Sequence, residues 1–461
     1  MPDRPSTTPQ FANELRTGDF DSMMERRQIR VLVPYSRTLY FNDKGRESGL
    51  SAENARDFEI YINKKYRKKL HNRPITVVLI PTSRDKLIPD LVHGFGDIAA
   101  GNLTETPERT LYVDFFAPAD FRNISEIVVT SKQAGAVASA DALAGRSVCV
   151  RKSSSYYASL DSLNRRLVAE GRPPVKIVTL DEDLEDEDIM EMVDAGVIHA
   201  TVVDDWKARM WARALPRIVL NSGAAVRTNA HAGWAFRKNS PLLAAEIAGF
   251  YQAHKAKGTF SYRLAMYEKK AKLLRDPTGR EDWKHFSDTI ALFKKYGSQY
   301  GFDPLMLAAQ GFQESGLNQS ARGPTGAVGI MQVMPETGKS LKVGDITVTE
   351  PNIHAGTKYM NELLTRYFEG AHFDEKNRTL FAFAGYNAGP NRIARLRDVA
   401  AARGLDPNVW FDNVEIVVSE KIGRETTTYV RNILKYYVSY KLTLEREQET
   451  QRAREAVKTG G

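Results

Sequence analysis

Apolar and polar residues follow two different spacing patterns along the chain, and the pattern changes near residue 280. In the first part, short apolar runs alternate with stretches of helical periodicity. The runs predict strands at 29–33, 76–80, 98–100, 147–151, 175–180, 200–203 and 232–237, and the periodic stretches predict helices at 54–70, 83–93, 159–170, 186–195 and 242–256. Strands that alternate with helices in this way indicate an α/β fold with parallel sheet pairing.

The second part is predicted to be mainly helical. Apolar residues recur at helical spacing in 286–300, 303–316, 353–368, 380–387 and 429–443, and the run at 414–418 fits either a short strand or a helical turn. A charged stretch with Pro277 and Gly279 predicts a linker at 269–285. We therefore expect a first domain at 29–268 and a second at 286–445, with tails at 1–28 and 446–461.

Composition narrows the class of protein. The 461 residues are 42% hydrophobic and 26% charged, which is typical of folded domains, and no apolar run reaches the length of a membrane span. No signal peptide is visible at the start, so the protein stays inside the cell, or its export signal was removed or lies upstream. The single Cys149 allows no internal disulfide and is predicted to be a buried strand residue.

The net charge of +8 would suit nucleic acid, a membrane surface or an anionic polymer. No Lys/Arg block with interleaved aromatic residues is present, so nucleic acid is not an expected partner. A solvated basic surface is the simplest account. The acidic run 181–188 is predicted to be a loop and the first turn of a helix, where carboxylates complement the helix dipole. Its spacing does not match an oxygen-ligand metal loop, so we expect no metal and no cofactor.

Glu314 is the most conspicuous candidate for chemistry. It lies near the end of the 303–316 helix, which begins with Asp303-Pro304 and is apolar or uncharged nearly all round. No other ionisable residue occurs between Asp303 and Arg322. A lone carboxylate in a buried helix is desolvated and can hold a proton near neutral pH, as a general acid must. The alternative is a buried, hydrogen-bonded glutamate without a chemical role.

The first part resembles the solute-binding proteins that bind amino acids in bacteria. The resemblance rests on the segments at 96–118, 143–155, 196–206 and 233–259. It implies two lobes, one at about 29–118 and 226–265 and one at about 119–225, with a ligand between them. The positions that match the family's ligand contacts are Thr104, Thr106, Arg109, Ser153, Ser154 and Asp204.

The chemistry of these six residues fits such a ligand. Arg109 could clamp a carboxylate through two hydrogen bonds, with the threonines nearby. Ser153 or Ser154 precedes a helix whose N-terminus could help to bind an anion. Asp204 could take a ligand ammonium group. The alternative is that these are a surface arginine, turn threonines and serines, and a helix-capping aspartate.

The second part resembles the lytic transglycosylases of the lysozyme-like superfamily. The resemblance rests on Glu314-Ser315 and on the blocks GAVGIMQVMPETG at 326–338, GYNAGPNRI at 385–393 and ETTTYVRNIL at 425–434. It implies a lysozyme-like fold in which Glu314 is the sole catalytic carboxylate. The substrate contacts that it implies are Ser315, Gln332, Tyr386, Asn387 and Tyr429. Gly323 departs from the pattern, because related enzymes often carry serine there.

Together these resemblances imply a lytic transglycosylase that cleaves the MurNAc–GlcNAc bond of peptidoglycan without water and leaves 1,6-anhydro ends. The first domain would bind a muropeptide or an amino acid and regulate the second. The expected partners are glycan strands and that effector, with peripheral membrane association. The expected location, inferred from the substrate, is the periplasm and the outer membrane. The alternatives are a sensor with an inactive lysozyme-like domain and a hydrolytic muramidase.

Overall fold

The computed structural model describes residues 15–43, 46–71, 73–116, 124–255 and 280–459. These residues form two compact units, one before residue 256 and one after residue 279. No helix among the described residues is both long enough and apolar enough to cross a membrane.

The first lobe of the first unit is built on a five-stranded sheet. Its strand order is β4–β1–β5–β12–β6, where β1 is Gln28–Val33, β4 Thr76–Pro81, β5 Ile98–Thr104, β6 Val113–Phe116 and β12 Ala232–Arg237. β1 pairs in parallel with β4 and β5, whereas β12 runs antiparallel to β5 and β6. The predicted parallel pairing is therefore only part of the sheet, because β12 is the strand by which the chain returns from the second lobe. Leu32, Ala99 and Ala235 lie in the core on this sheet.

Helices and a short hairpin complete the first lobe. The hairpin consists of β2 (Phe41–Asp43) and β3 (Arg46–Ser48). The helices are α1 (Phe20–Arg26), α2 (Leu50–Lys65), α3 (Arg67–Leu70), α4 (Leu87–His93), α5 (Pro107–Thr110) and α9 (Pro241–Lys255).

The second lobe contains two small sheets. β7 (Ile124–Ser131) lies between β10 (Ala200–Asp204) and β11 (Ile218–Ala230) and pairs antiparallel with both. β8 (Ser147–Arg151) pairs in parallel with β9 (Lys176–Leu180). The helices of this lobe are α6 (Ser155–Ala169), α7 (Asp186–Asp194) and α8 (Asp205–Ala212), with a short 3₁₀ helix at Ala140–Leu143. Cys149 is buried in β8.

The tail predicted at 1–28 ends in folded structure. α1 buries Phe20 and Met23, and the Asp19 carboxylate caps it by accepting a 2.7 Å hydrogen bond from the Phe20 amide. The same carboxylate accepts hydrogen bonds from two backbone amides at the start of α9. The two apolar side chains and this double cap dock residues 20–26 on the lobe. Residues 1–14 lie outside the described residues.

The second unit is helical. Its α-helices are α10 (Arg280–Tyr300), α11 (Pro304–Ser315), α12 (Pro335–Leu341), α13 (Thr349–Tyr367), α14 (Glu375–Ala388), α15 (Pro390–Ala402), α16 (Glu415–Ile422) and α17 (Glu425–Thr459). The segment 414–418 is helical and not a strand, since a π-helical turn at Trp410–Val414 leads directly into α16.

Two predicted boundaries differ from the observed helices. α10 already begins at Arg280, so the last residues of the predicted 269–285 linker are helical, whereas residues 269–279 lie outside the described part. Glu281 and Asp282 in the first turn favour this earlier start, because carboxylates stabilise a helix N-terminus. At the other end, α17 continues through the predicted charged tail as far as Thr459.

Candidate active site and ligand cleft

Glu314 lies in the last turn of α11. Asp303 caps the start of this helix, where its carboxylate accepts a 2.7 Å hydrogen bond from the Leu305 amide, and Gly316 ends it in the left-handed conformation with φ 66°. The residues between Met306 and Phe312 are all buried. Glu314 itself is half-buried, so the helix holds the carboxylate at the edge of the core, where a substrate can reach it.

The surroundings of Glu314 favour its protonated form. Burial raises the pKa of its carboxyl group to about 7, opposed by a hydrogen bond that the Tyr429 hydroxyl donates to Oε1 over 2.5 Å. The C-terminal end of a helix also disfavours negative charge. Gln310 Nε2 donates to the Tyr429 oxygen over 3.4 Å. No second carboxylate among the described residues contributes to the pKa of Glu314.

The loop at 326–334, which contains Gly326 and Gly329, is the glycine-rich loop beside Glu314. It is held by Asn352, a fully buried residue of α13. Its Nδ2 donates to the carbonyls of Val328 and Ile346 over 2.8 and 2.9 Å, and its Oδ1 accepts from the Met331 amide over 2.8 Å. Gly329 has φ 77°, and a Cβ there would lie 2.4 Å from Asn352 Nδ2. Glycine at 329 therefore lets the backbone close around the asparagine amide.

Ser315 and Tyr386 fasten the same loop. Ser315 Oγ donates to the Ile330 carbonyl over 2.9 Å, which ties the loop to the end of α11. The Tyr386 hydroxyl donates to the Met331 carbonyl over 2.7 Å. Burial, followed by the nearby charge of Glu314, raises the pKa of Tyr386 well above 10, so its hydroxyl keeps its proton beside the carboxylate.

Gln332 and Asn387 have partners within the protein. Gln332 adopts φ 45°, and its Nε2 donates to the Gly329 carbonyl over 2.8 Å. A Cβ on Gly323 would lie 2.7 Å from Gln332 Oε1, so the glutamine side chain stands against the position where serine is often found. Asn387 Oδ1 accepts a 2.8 Å hydrogen bond from Thr426 Oγ1, which joins the end of α14 to the start of α17.

The structure thus ties Ser315 and Tyr386 to one loop and brings Tyr429 onto Glu314, the residue before Ser315. Sequence reasoning missed Asn352 and Gln310 in this site. Both are uncharged polar residues that interrupt an otherwise apolar helix face, and that interruption was the available signal.

The first unit has a cavity of about 30 Å³ between its lobes. Five of the six predicted ligand contacts line it: Thr104, Arg109, Ser153, Ser154 and Asp204. Thr106 instead caps α5, where its hydroxyl accepts a 3.3 Å hydrogen bond from the Arg109 amide. The volume is room for about two water molecules.

Arg109 joins the two lobes at this cavity. Its Nη1 donates to the Thr104 carbonyl over 2.8 Å and its Nη2 to the Ser153 carbonyl over 3.1 Å. No carboxylate of the described residues forms an ion pair with it. Burial lowers the pKa of the guanidinium from its usual value. A half-buried cation that forms no ion pair favours an anionic ligand.

The two predicted serines are already engaged. Ser153 donates to Glu182 from its backbone amide over 3.0 Å and from its hydroxyl over 2.5 Å. Ser154 caps α6, because its hydroxyl accepts a 3.2 Å hydrogen bond from the Tyr157 amide. An anion at this helix start would therefore compete with Glu182 for Ser153.

Asp204 faces a cation of the protein itself. Lys207 Nζ lies 3.6 Å from Asp204 Oδ2 and also pairs with Asp186, which binds Arg151 on its other side. Burial raises the pKa of Asp204 to about 6, with Lys207 acting in the opposite direction. Lys207 was not predicted as a site residue. Its position three residues after Asp204, at the start of α8, would have placed both on one helix face.

Ion pairs between the lobes close the cleft. Arg37 pairs with Asp188 and Glu191 over 3.1 and 2.8 Å, and Arg84 pairs with Glu185 over 2.8 Å. The acidic run predicted as a loop and first helix turn is indeed there, and Glu185 and Asp188 form a capping box. The carboxylates of Glu185 and Asp188 are nevertheless buried, because they pair with Arg84 and Arg37 of the first lobe.

No group of three or more His, Cys, Asp or Glu side chains within the described ranges is arranged to hold a metal ion.

Comparison with known families defines the class of each unit. Residues 30–269 match the model of the bacterial extracellular solute-binding proteins, family 3, and since this is more than half of the sequence, the chain belongs to that family. Residues 291–406 match the transglycosylase SLT domain. The predicted fold class, an α/β two-lobe unit followed by a mainly α unit, is confirmed.

Individual relatives combine both parts. The membrane-bound lytic murein transglycosylase F of Desulfosudis oleivorans is 29% identical over 374 residues, which cover 77% of this chain and 79% of that protein. The protein of the same name from Ectopseudomonas mendocina is 26% identical over 430 residues, covering 89% of this chain and 83% of that protein. The two resemblances predicted from the motifs are thereby confirmed.

One solved structure similar to this chain is an amino acid ABC transporter substrate-binding protein, AbpA, from Streptococcus pneumoniae bound to L-arginine. It is 16% identical with a TM-score of 0.44, and the match covers 54% of this chain and 98% of that one.

Proposed function

We propose that this chain is a peptidoglycan lytic transglycosylase whose first unit binds a small ligand and regulates the second. The observation that carries the catalytic role is Glu314, a half-buried carboxyl group with a pKa raised to about 7 and no partner carboxylate among the described residues. The SLT domain match and the relatives named lytic murein transglycosylases support the same reaction and the same polymer. We assign the ligand unit to 29–268 and the catalytic unit to 286–445.

The reaction needs only the carboxyl group of Glu314 and the sugar's own hydroxyl. Glu314 gives its proton to the glycosidic oxygen between MurNAc and GlcNAc, and the bond from that oxygen to C1 of MurNAc breaks. The 6-hydroxyl oxygen of the same MurNAc then bonds to C1, and its proton returns to the Glu314 carboxylate. The product carries a 1,6-anhydro ring, no water is consumed, and the acid is regenerated.

Other residues of the site have supporting roles in this proposal. The Tyr429 hydroxyl steadies the Glu314 carboxylate in the step in which it is ionised. Ser315 and Tyr386 hold the glycine-rich loop, so that its backbone forms a wall for the glycan. Gln332 and Asn387 bind substrate only by giving up the hydrogen bonds they make within the protein.

The first unit would take a muropeptide or an amino-acid-like effector with its carboxylate on Arg109. The family match and the half-buried Arg109, which forms no ion pair among the described residues, support this role. Because its substrate would be the cell wall, we place the protein in the periplasm. The words "membrane-bound" in the names of its relatives support attachment to a membrane, for which we propose peripheral association with the outer membrane.

A digest of purified sacculi tests the reaction. The wild-type protein should release anhydro-muropeptides, and mass spectrometry should find them lighter than hydrolysed muropeptides by one water. Products that contain this water would establish a hydrolytic muramidase instead. Release of no product, together with retained glycan binding, would indicate a sensor with an inactive lysozyme-like domain.

A further inference from the structure

The cleft of the first unit already contains an ammonium group. Lys207 is only 3% exposed, lines the cavity, and places Nζ against the carboxylates of Asp186 and Asp204. In a cleft that takes amino acids, one of these carboxylates, Asp204, is the partner expected for the ligand's own ammonium group. Here that charge is supplied by the chain.

The carboxylates in the cleft have cationic neighbours within the protein, whereas the cation Arg109 has no carboxylate partner among the described residues. Asp186 is neutralised by Arg151 and Lys207, and Asp204 lies next to Lys207. Arg109 has no carboxylate partner among the described residues. A ligand that brought both a carboxylate and an ammonium group would satisfy Arg109, but its ammonium would meet Lys207. Like charges brought together in a buried site oppose binding.

One acceptor in the cleft remains unused. Asp204 is 1% exposed, and its Oδ1 has no hydrogen-bond partner within the described residues. A neutral hydroxyl can donate a hydrogen bond to this oxygen without adding charge. Satisfying a buried acceptor in this way favours the ligand that carries the hydroxyl.

The lysine is present whether the lobes are open or closed. Arg151 on β8, Asp186 on α7, and Asp204 and Lys207 at the junction of β10 and α8 all belong to the second lobe. Their ion pairs therefore do not depend on closure of the cleft.

We infer that Lys207 takes the place of a ligand ammonium group, so that the cleft selects small carboxylates that carry a hydroxyl where an amino acid carries its amine. This inference rests on the ligand-binding role proposed above and names the chemical class of the effector. Arg109 binds the carboxylate, and Asp204 Oδ1 accepts from the hydroxyl.

Matched pairs of acids test this inference on the full chain. L-alanine and L-lactate, and L-glutamate and L-2-hydroxyglutarate, differ only in an ammonium or a hydroxyl group. In isothermal titration calorimetry, the wild type should bind at least one hydroxy acid about tenfold or more tightly than its amino acid. Lys207→Ala removes the charge and opens the space, so the preference should reverse.

Two control variants separate charge from volume. Lys207→Met removes the charge but keeps most of the space filled, so it should lose the preference for the hydroxy acid if repulsion by Nζ is its cause. Lys132→Ala removes an exposed lysine of the same lobe and should change neither affinity. Circular dichroism melting checks that each variant is folded, and the wild-type comparison stands without any variant.

The outcomes distinguish this inference from the wider proposal. If the wild type binds amino acids as tightly as hydroxy acids, or if folded Lys207→Ala keeps the wild-type preference, the role of Lys207 is refuted and ligand binding stands. If the wild type binds neither class, the small-carboxylate effector is refuted as well. The sacculus digest is independent of both results.

Discussion

Glu314 in the second unit and Asp186 in the first are both carboxyl groups withdrawn from water, but their neighbours differ. Burial alone would raise the pKa of Asp186, yet Lys207 and Arg151 outweigh it and hold that pKa far below its usual value. Among the described residues, Glu314 has the neutral Tyr429 hydroxyl as its hydrogen-bond partner, and burial raises its pKa to about 7. For these two carboxyl groups, the close pairing of Asp186 with two cations makes the difference between a structural ion and an acid that holds its proton.

The two carboxyl groups lie in different electrostatic surroundings. Asp186 lies in a dense network of charges within the second lobe, and its ionised form is part of the fold. Glu314 is surrounded by apolar residues and neutral hydrogen-bonding groups. Isolation from other charges is therefore the feature that suits Glu314 to move a proton at neutral pH.

The largest expected effect comes from removing the acid. Glu314→Gln should reduce the release of anhydro-muropeptides from sacculi by about 10²–10⁴-fold, because the amide cannot donate a proton to the leaving oxygen. Glu369→Gln, a change of an exposed glutamate in the same unit, should leave the rate unaltered. A loss below about tenfold for Glu314→Gln would show that another group is the acid.

Removing the structural carboxylate should instead affect stability. Asp186→Asn leaves Arg151 and Lys207 buried without their counter-ion, so the first unit should lose about 3–5 kcal/mol of unfolding free energy. Differential scanning calorimetry should find its transition at a lower temperature while that of the second unit stays in place. Asp141→Asn, which breaks an exposed pair with Arg166, is the matched control and should shift the transition little. Equal shifts of the transition temperature for both variants would show that Asp186 is no more important to the fold than an exposed aspartate, which would contradict its role as a structural ion.

The pH dependence of lysis should follow the protonation of Glu314. Above a pH of about 7 the protonated fraction falls about tenfold per unit, and the rate should fall with it. The folded protein also holds a proton that the unfolded chain releases between about 4.5 and about 7. Its stability relative to Glu314→Gln should therefore decrease as pH rises through this window. A pH-independent difference between the two proteins would contradict the raised pKa.

The smallest expected effect sharpens the role of Tyr429. Its hydroxyl donates to the ionised carboxylate and so lowers the pKa of Glu314. Tyr429→Phe should move the alkaline limb of the rate profile upward by about one pH unit, which is the size of one hydrogen bond to a charged group. Tyr367→Phe, elsewhere in the unit, should leave the limb in place. A downward shift would mean that Tyr429 favours the protonated form.

The periodicity of apolar residues predicted most helices and strands, because an element that buries one face carries apolar residues at a regular spacing. It did not predict that β12 runs antiparallel in the first sheet, since strand pairing depends on residues distant in sequence. It also placed residues 20–26 in a tail, because a seven-residue helix that buries Phe20 and Met23 gives too short a pattern to recognise.

The candidate sites were predictable to a similar degree. Motifs predicted Glu314 and Arg109, because a carboxyl group suits acid catalysis and a guanidinium group suits carboxylate binding. Lys207 and Asn352 were missed, because a lysine and an asparagine at the start of helices ordinarily face water. Only the folded chain brings Lys207 against Asp186, twenty-one residues earlier, and Asn352 into the glycine-rich loop.

The three hydrogen bonds of Asn352 have a consequence for protein engineering. The loop that would face the glycan gets its shape from a side chain on α13, outside the loop itself. A chimera that receives residues 326–338 without an asparagine at the position of Asn352 would have the sequence of the loop but would not hold its conformation. The transplantable module is the loop together with the first turn of α13.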